Sequence, residues 1–454
     1  MKKYKLLIML LLVVIVTGSC KKYLDLKSNA KLVTPHTLAD IQGILDDGEL
    51  LNLKTTPSMN ESSADDFFLL PATFNSLPVS FQAIYRWQPN DTRFPNDWSL
   101  GYQAVFNANL SLDLLENVER NSANNMQWDN IKGSALFYRA FHTLNLTMQY
   151  AKVYNEATAD ADLGIVLRLS SDFNVPSVRS SVRNCYQKVI SDLRAALELL
   201  PVYPVHLMRP SKGAVNALLA RTYLFMGKYQ EAKFYSDEAL KINSTLMDYN
   251  GDAFIGALTA AIPFKKLNPE TIFYAEMGQI QVLHTATRGR IDTTLYADYA
   301  NADLRKTGFF NLVSGYPQYK GSYTGATSVF FTGLATDELF LIRAECNAYL
   351  GELTAALSDV NTLLKNRWNR SVVFVPVLGT NREDVLSKIR LERRKELLMR
   401  GLRWIDLKRY NREGANIVIS RKINNQLITL PPNSSYFALP IPSDIIEESG
   451  IAQN

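Results

Sequence analysis

Two separated stretches of the chain repeat one pattern of small residues, and this repeat constrains the fold more than any other feature. The repeated residues are Ala220, Gly227 and Ala232 in residues 213–240, and Ala344, Gly351 and Ala356 in residues 338–364. The offsets are seven and five in both stretches. Two antiparallel helices approach closely only where small residues face each other, and glycine permits a tight connection. The spacing predicts tetratricopeptide-like helical hairpins; a coincidence between two alanine-rich hairpins is the alternative.

The rest of the chain mixes helical patterns with irregular segments. Apolar residues recur at helical spacing over residues 102–118, 131–150 and 186–200. Residues 243–335 hold many glycines and aromatic residues, which predicts loops and a few short strands. Four prolines within residues 430–449 predict an extended, wrapping tail. We therefore expect a mostly α-helical protein, with the helical hairpins as scaffold and the loop-rich region packed on it.

The N-terminus carries a targeting signal. A short basic segment precedes an apolar run at residues 6–16, and the sequence TGSC then ends at Cys20. This order is typical of a secretory signal peptide, and the run is shorter than the roughly 20 residues that span a bilayer. Its cysteine context resembles a bacterial lipoprotein signal, which implies a signal peptide over residues 1–19, lipidation of Cys20 and a lipidated tether over residues 20–40. A short N-terminal anchor helix is the alternative.

The charge balance gives little support to a polyanion partner. Lysine and arginine number 49 against 44 acidic residues, a formal charge of +5. Without Lys2, Lys3 and Lys5 of the signal segment, 46 basic residues face 44 acidic ones. A chain this close to neutrality has no overall electrostatic attraction for nucleic acid, and we expect no such partner. Three cysteines are too few for a disulfide framework or a tetrahedral cysteine metal site.

One segment is nevertheless strongly basic. Residues 388–412 contain ten lysines and arginines but only three acids, which are Glu392, Glu396 and Asp406. Glu396 and Arg400 stand at i,i+4 on a helix, and leucines and a tryptophan interleave with the charges. Packing within the scaffold is the favoured interpretation, and partner docking and polyanion binding are the alternatives.

Several motifs along the chain point to one known family. The most specific is IRLERRKELLMRGLRWIDLKRY at residues 389–410; others are Trp98, Tyr102 and Asn109 in the spacing W-x3-Y-x6-N, and LPIPSDII at residues 439–446. These motifs resemble the SusD/RagB family of nutrient-uptake outer-membrane lipoproteins from Bacteroidetes. The resemblance covers almost the whole chain, although the family's usual closing N-P-x-x-x-Q-N-P appears only as SGIAQN.

The resemblance implies both an organisation and a function. It divides the mature chain into a SusD-like N-terminal region (41–242), a loop-rich insertion (243–335) and a RagB/SusD C-terminal region (336–454). It implies a lipid-anchored outer-membrane protein facing the cell exterior, which binds an oligosaccharide and delivers it to a SusC-like TonB-dependent transporter. The alternatives are a peptide-binding member of the same family, a periplasmic repeat scaffold for protein–protein interaction, and a lipoprotein hydrolase.

Catalytic and metal-binding patterns find little support. The four histidines, His36, His142, His206 and His284, are widely spaced and form no metal-ligand motif. The sequence contains no G-x-S-x-G motif and no phosphate-binding loop. We expect no catalytic residue, no metal and no cofactor. The acidic pairs Asp46-Asp47 and Asp65-Asp66 leave a carboxylate pair or a calcium site open as alternatives.

Aromatic residues in loops are the candidates for ligand contact. Sugars present C–H faces that lie flat on aromatic rings, and their hydroxyls bond to polar neighbours. The candidates are Trp87, Trp98, Arg86 and Asn90 in one region and Tyr316, Tyr319 and Tyr323 in another. Core packing is the alternative for each ring, since aromatic side chains bury large apolar areas. Packing is favoured for Trp98, which belongs to a scaffold motif.

Overall fold

The computed structural model describes residues 35–454, so Cys20 and most of the predicted tether lie outside the described residues. The first elements are α1 (Leu38–Leu45), α2 (Gly48–Leu51), α3 (Met59–Ser63), β1 (Phe67–Leu69), α4 (Pro71–Asn75) and α5 (Val79–Tyr85). A capping box between Thr37 and Asp40 satisfies the first backbone N–H groups of α1. Helix α1 therefore begins inside the segment predicted as a tether, residues 20–40.

Long helices then build the scaffold. They are α6 (Asp97–Leu115), α7 (Asn125–Tyr150), α8 (Val182–Leu199), α9 (Lys212–Met226) and α10 (Tyr229–Ile242), with strands β2 (Leu163–Val166) and β3 (Arg179–Ser181) before α8. Each long helix packs on the next along the chain, and their facing sides share one apolar core. The predicted helical patterns fall on α6, α7 and α8. Within residues 35–454, no helix has the length and apolar character required to cross a bilayer.

The predicted loop-rich insertion contains only short elements. They are β4 (Thr271–Phe273), β5 (Gly289–Ile291), α11 (Thr293–Ala297), α12 (Arg305–Gly308), β6 (Phe310–Val313), β7 (Tyr316–Tyr319) and β8 (Leu334–Ala335). The strands form antiparallel pairs: β1 with β5, β6 with β7, and β4 with β8. The last pair joins the first strand of the insertion to its end, and its residues Ile272, Phe273 and Leu334 pack in the core of the long helices. A second apolar core lies beneath the β1–β5 and β6–β7 pairs.

The C-terminal part returns to helices. Its elements are α13 (Thr336–Tyr349), α14 (Leu353–Lys365), α15 (Arg382–Glu396), α16 (Arg403–Arg412), β9 (Ile419–Ile423), β10 (Gln426–Leu430), a 3-10 turn (Ser435–Phe437) and α17 (Ser443–Ser449). The prediction of an extended tail is wrong at α17. Pro442 stands at the N-cap of this helix, where a proline is tolerated because the first backbone N–H groups have no partner within the helix.

The repeated stretches form two helical hairpins, α9–α10 and α13–α14, which confirms the prediction. Helix α10 packs on α13, so the hairpins are direct neighbours although the insertion separates them in sequence. Tyr229 and Tyr349 stack with ring centroids 3.8 Å apart, and both hydroxyls donate to the Glu413 carboxylate. The stack of hairpins is therefore continuous in space.

The repeat-equivalent glycines give a matched stability test. Gly227 and Gly351 have left-handed backbones, with φ of +75° and +85°. Replacing Gly351 by alanine should reduce the free energy of unfolding by about 1 kcal/mol, the cost of a left-handed alanine. Gly227→Ala should cost roughly twice as much, because its Cβ would lie 2.9 Å from Arg412 Nη2, in a guanidinium held by the Tyr154 and Phe225 carbonyl oxygens. The Cβ of an alanine at Gly351 would meet nothing within 4 Å. Urea denaturation measures both, and equal losses would exclude a steric contribution from Arg412.

The basic segment of residues 388–412 forms α15, the connecting turn and α16, and most of its charge is neutralised inside the protein. Its buried or partly buried ion pairs include five in which an arginine is matched to a carboxylate: Arg393–Asp406, Arg394–Asp66, Arg400–Asp337, Arg403–Asp65 and Arg409–Glu345. Four of these five carboxylates come from outside the segment, so the excess of basic residues in the local sequence gives no comparable excess of surface charge. The arrangement supports the packing interpretation over polyanion binding.

Candidate ligand-binding site

Trp87 lies in the protein interior. Its side chain is 7% exposed, and its indole Nε1–H donates to the Ser63 carbonyl oxygen at 2.9 Å. The Arg421 guanidinium lies over the ring, 4.6 Å from its centroid. All of these are contacts within the fold, so ligand contact by Trp87 stays a prediction and would require this part of the core to open.

The predicted tyrosine cluster is divided between surface and core. Tyr316 and Tyr319 stand three residues apart on β7, and an odd spacing places strand residues on opposite faces. Tyr316 is exposed, whereas Tyr319 and Tyr323 are buried. The Tyr323 hydroxyl donates to Glu270 Oε2 at 2.6 Å. Only Tyr316 is directly available to a ligand, and contact by the other two stays a prediction.

Arg86 and Asn90 make local contacts beside the core. The Arg86 guanidinium lies over the Phe74 ring, 4.8 Å from its centroid. The Asn90 side chain accepts a hydrogen bond from the Thr92 hydroxyl and donates to the Gln88 carbonyl oxygen at 3.4 Å. Both side chains are partly exposed. Their participation in ligand binding also stays a prediction.

Trp98 stands in the first turn of α6 and lines a cleft of about 600 Å³. Its buried ring packs against Tyr102 and Tyr150, at centroid distances of 4.7 and 5.1 Å. The rim of the cleft presents two more accessible rings, Phe106 on α6 and Phe173 in the loop between β2 and β3. Neither phenylalanine is a defining residue of a motif, so no sequence pattern predicts a role for either ring.

A second surface brings Tyr316 together with residues from distant parts of the chain. Tyr316 packs edge to face on Phe68, with centroids 5.5 Å apart. Phe68 pairs in register with Arg290 across β1 and β5, which places both side chains on one face. Arg288 stands in the turn that precedes β5, and its guanidinium lies 5.9 Å from the Phe81 ring centroid. We call these five residues the aromatic platform.

The arginines of the platform are held in place by backbone groups. Arg288 Nη1 donates to the Val282 carbonyl oxygen at 2.7 Å, and Arg290 Nη1 donates to the carbonyl oxygens of Ala286 and Gly289. Within residues 35–454, neither guanidinium forms a salt bridge. A fixed guanidinium with remaining N–H groups, next to partly exposed rings, is suited to a polar ligand with apolar faces.

Three buried carboxylates meet elsewhere, within 4.8 Å of one another: Glu270, Asp337 and Glu396. Arg367 Nη2 lies 2.8 Å from both Glu270 Oε1 and Glu396 Oε1, and Arg400 Nη2 lies 2.7 Å from Asp337 Oδ2. Burial raises the pKa of Glu270 to about 7. The guanidinium groups occupy the positions that a cation would take, so this cluster belongs to the internal ion network.

The stacked hairpins define the class of this molecule, an α-helical repeat protein. Two family models match the sequence: one described as "Starch-binding associating with outer membrane" over residues 22–224, and one described as "SusD family" over residues 227–444. The chain belongs to the SusD/RagB family, as its motifs predict. This is a family of non-catalytic binding proteins, and no curated protein matches the sequence.

Solved structures share the fold along nearly the full length of the chain. A SusD superfamily protein from Bacteroides thetaiotaomicron is 20% identical, with a TM-score of 0.71, and the match covers 92% of this chain and 99% of that one. A SusD superfamily protein from Bacteroides fragilis is 19% identical, with a TM-score of 0.73 and coverages of 91% and 98%. A SusD-like carbohydrate binding protein from Bacteroides vulgatus is 20% identical, with a TM-score of 0.67 and coverages of 92% and 97%. At these identities the similarity establishes the fold alone.

Proposed function

We propose that this protein is an outer-membrane lipoprotein that binds an oligosaccharide at the cell surface and delivers it to a SusC-like TonB-dependent transporter. Family membership supports the general role, because one matching family model is described as starch-binding and associated with the outer membrane. The observation that carries the choice of ligand is the aromatic platform. Two mutually packed rings at the surface, beside two arginines whose N–H groups can donate to hydroxyls, suit a sugar better than a wholly apolar ligand.

The proposed attachment depends on Cys20. Acylation at this residue would attach the chain to the membrane, and two or more acyl chains exceed what stable anchoring requires. Cys20 lies outside the residues that the structure describes, which begin at residue 35. Metabolic labelling with a palmitate analogue tests the anchor, with Cys20→Ala as the control. Protease treatment of intact cells tests the orientation, because it should remove a surface protein and leave a periplasmic scaffold intact.

Binding at the platform has a direct chemical basis. The exposed face of Tyr316 can lie against the C–H face of a pyranose ring, while Arg288 and Arg290 donate to its hydroxyls. A ring contact of this kind contributes about 0.5–1.5 kcal/mol, which corresponds to a two- to tenfold change in affinity. Oligosaccharides reach useful affinity by repeating such contacts along several sugar units.

Tyr316→Ala and Phe68→Ala are each expected to weaken oligosaccharide binding by about tenfold. A glycan array on the protein expressed without residues 1–20 identifies a ligand, and calorimetry then measures the affinity. Phe106→Ala is the matched control, because Phe106 is an accessible ring (42% exposed) on the separate cleft of Trp98. Loss of binding in Phe106→Ala alone would move the site to that cleft. Unchanged affinity in both platform variants would reject the platform.

Peptide cargo is the second candidate within the family. Leu312 and Val313 are exposed on β6, next to Tyr316 in the β6–β7 hairpin, and add an apolar surface that a peptide could use. A peptide library screened beside the glycan array distinguishes the two ligands. Binding of peptides that depends on Leu312 and not on Arg290 would favour the peptide alternative.

A further inference from the structure

A second cavity lies on a part of the molecule that uses none of the platform residues. Its volume is about 750 Å³, and it is bounded by the residues that follow α7, by the C-terminal half of α16 and by the segment of residues 432–438. The wall is rich in amide and hydroxyl groups, from Asn155, Thr158, Asn416, Asn433, Ser434 and Ser435. Such a wall offers many hydrogen-bond donors and acceptors to a small polar ligand.

The distinctive residue of this cavity is Lys408, on α16. Its side chain lines the cavity, yet the residue is only 3% exposed. The Lys408 ammonium donates to the carbonyl oxygens of Met148 and Ala151, at 2.8 and 2.6 Å. These carbonyls end helix α7, so the lysine stabilises the negative end of that helix. An ammonium group has three N–H donors, and these two bonds leave one of them.

The charges around Lys408 do not balance its own. The other charged residues of the wall are Lys152, Asp162 and Arg412. Lys152 pairs with Asp162 at 2.7 Å, and Arg412 pairs with Glu413 at 2.7 Å. Within the described residues 35–454, no carboxylate forms a salt bridge with Lys408. The protonated Lys408 therefore has no carboxylate partner, and its charge is offset only by the carbonyl oxygens at the end of α7.

We propose that this cavity binds an acidic sugar unit, with Lys408 pairing to its carboxylate or sulfate group and the amide and hydroxyl wall bonding to its hydroxyls. An anion would supply the counter-charge that the wall lacks, and a buried charge gains most from such a partner because water screens the pair poorly. The site is independent of the platform, so it holds whether or not the platform binds sugar. The shared chemistry is an anionic group on a polyhydroxylated frame, and carboxylated and sulfated sugars are separate arms of the test.

The titration of Lys408 provides a specific signature. Burial lowers the pKa of this ammonium to about 7. An anionic ligand favours the protonated lysine, so binding above pH 7 takes up a proton. Sugar carboxylates are ionised throughout the range from pH 6 to 8.5, and the pH dependence then reports the lysine. Affinity should weaken by roughly thirtyfold between pH 6 and 8.5, following the charged fraction of Lys408.

Calorimetry of the protein with sodium glucuronate, with a sulfated glucose, and with glucose as the neutral control tests the proposal. We expect the acidic sugars to bind more tightly than glucose, with the affinity falling as the pH rises. Lys408→Arg keeps the charge up to pH 12 and should abolish the pH dependence between 6 and 8.5. Lys408→Met should abolish preferential binding of the acidic sugar, whereas Lys388→Met should change the affinity less than threefold, because Lys388 is a partly exposed lysine on α15 that does not line the cavity.

Several outcomes would overturn the proposal. They are an affinity that does not change between pH 6 and 8.5, equal binding of glucose and both acidic sugars, no measurable binding of either acidic sugar, or full binding by folded Lys408→Met. Because Lys408 also covers the end of α7, circular dichroism must show that each variant is folded. If a variant does not fold, the pH profile of the unmodified protein decides the question, with Lys388→Met as its control.

Discussion

Replacing Arg305 by methionine is expected to reduce the free energy of unfolding by roughly 3–5 kcal/mol, the cost of removing one partner from a buried ion pair. The Arg305 side chain is fully buried. Its guanidinium contacts Asp303 at 2.6 Å, and Glu392 and Glu396 at 2.8 Å each. The substitution leaves three carboxylates with less compensating charge in a region that water does not reach. Urea denaturation of the purified protein measures the loss.

The size of this effect reflects what the arginine connects. Arg305 belongs to the insertion, whereas Glu392 and Glu396 belong to α15. The two ion pairs between them therefore join regions that are distant in sequence. Lys395 also contacts Glu392 at 2.8 Å and retains part of the compensation. The loss should therefore lie nearer 3 than 5 kcal/mol.

A control on the same helix separates burial from charge. Lys388 forms a pair with Asp384 on α15, but its side chain is 40% exposed. Lys388→Met removes one positive charge, as Arg305→Met does, and should cost less than about 0.5 kcal/mol because water screens the pair. Equal losses in the two variants would show that the internal network contributes no more than a surface pair does.

Acidification below pH 6.5 is expected to destabilise the protein through two buried histidines. Burial lowers the pKa of His142 to about 4 and that of His284 to about 3. An unfolded histidine titrates near 6.5. Below that pH the unfolded chain binds protons that the folded chain does not, so the stability contribution is complete above pH 6.5 and is lost as the pH falls towards 4 and 3. Each histidine lowers the free energy of unfolding by about 1.4 kcal/mol for each pH unit below 6.5, or by roughly 2–3 kcal/mol at pH 4.5.

His142→Gln isolates one of these contributions. His142 Nε2 lies 3.0 Å from the Leu51 carbonyl oxygen, and a glutamine amide is expected to keep that hydrogen bond. The slope of stability against pH between 6.5 and 4.5 should fall by about 1.4 kcal/mol per unit relative to the unmodified protein. His36→Gln is the control, because His36 is exposed. Carboxylates titrate equally in both variants and cancel in the comparison. An unchanged slope in His142→Gln would mean that His142 already accepts a proton in the folded state.

The helical scaffold could be predicted because its pattern is local. The repeated spacing around Gly227 and Gly351 indicates which faces of adjacent helices pack together. Both glycines adopt left-handed backbones at the turns between the helices. The tail shows the limit of local reasoning. Its prolines exclude a helix through their own positions but permit one that starts just after Pro442.

Candidate ligand-contact residues are harder to predict from the sequence, because neighbouring residues in the chain do not determine whether a side chain is exposed. Trp87 and Tyr316 both stand in segments rich in aromatic and polar residues, yet one ring lies under Arg421 and the other lies at the surface. No sequence pattern predicts that Phe68 contacts a ligand. It became a candidate only because β1 pairs with β5 and places it beside Tyr316.

The sequence by itself determined the helical hairpins, the family and the general class of function, because these depend on spacings and motifs within short stretches of chain. The tertiary structure alone decided which rings remain accessible and how the charges are compensated. The basic segment illustrates the difference: Arg394 and Arg403 find Asp66 and Asp65 more than 300 residues away. Within residues 35–454, the Lys408 ammonium donates to backbone carbonyl oxygens, and its side chain lines a cavity. Burial and charge pairing depend on contacts between residues that are distant in sequence, and no local sequence pattern predicts those contacts.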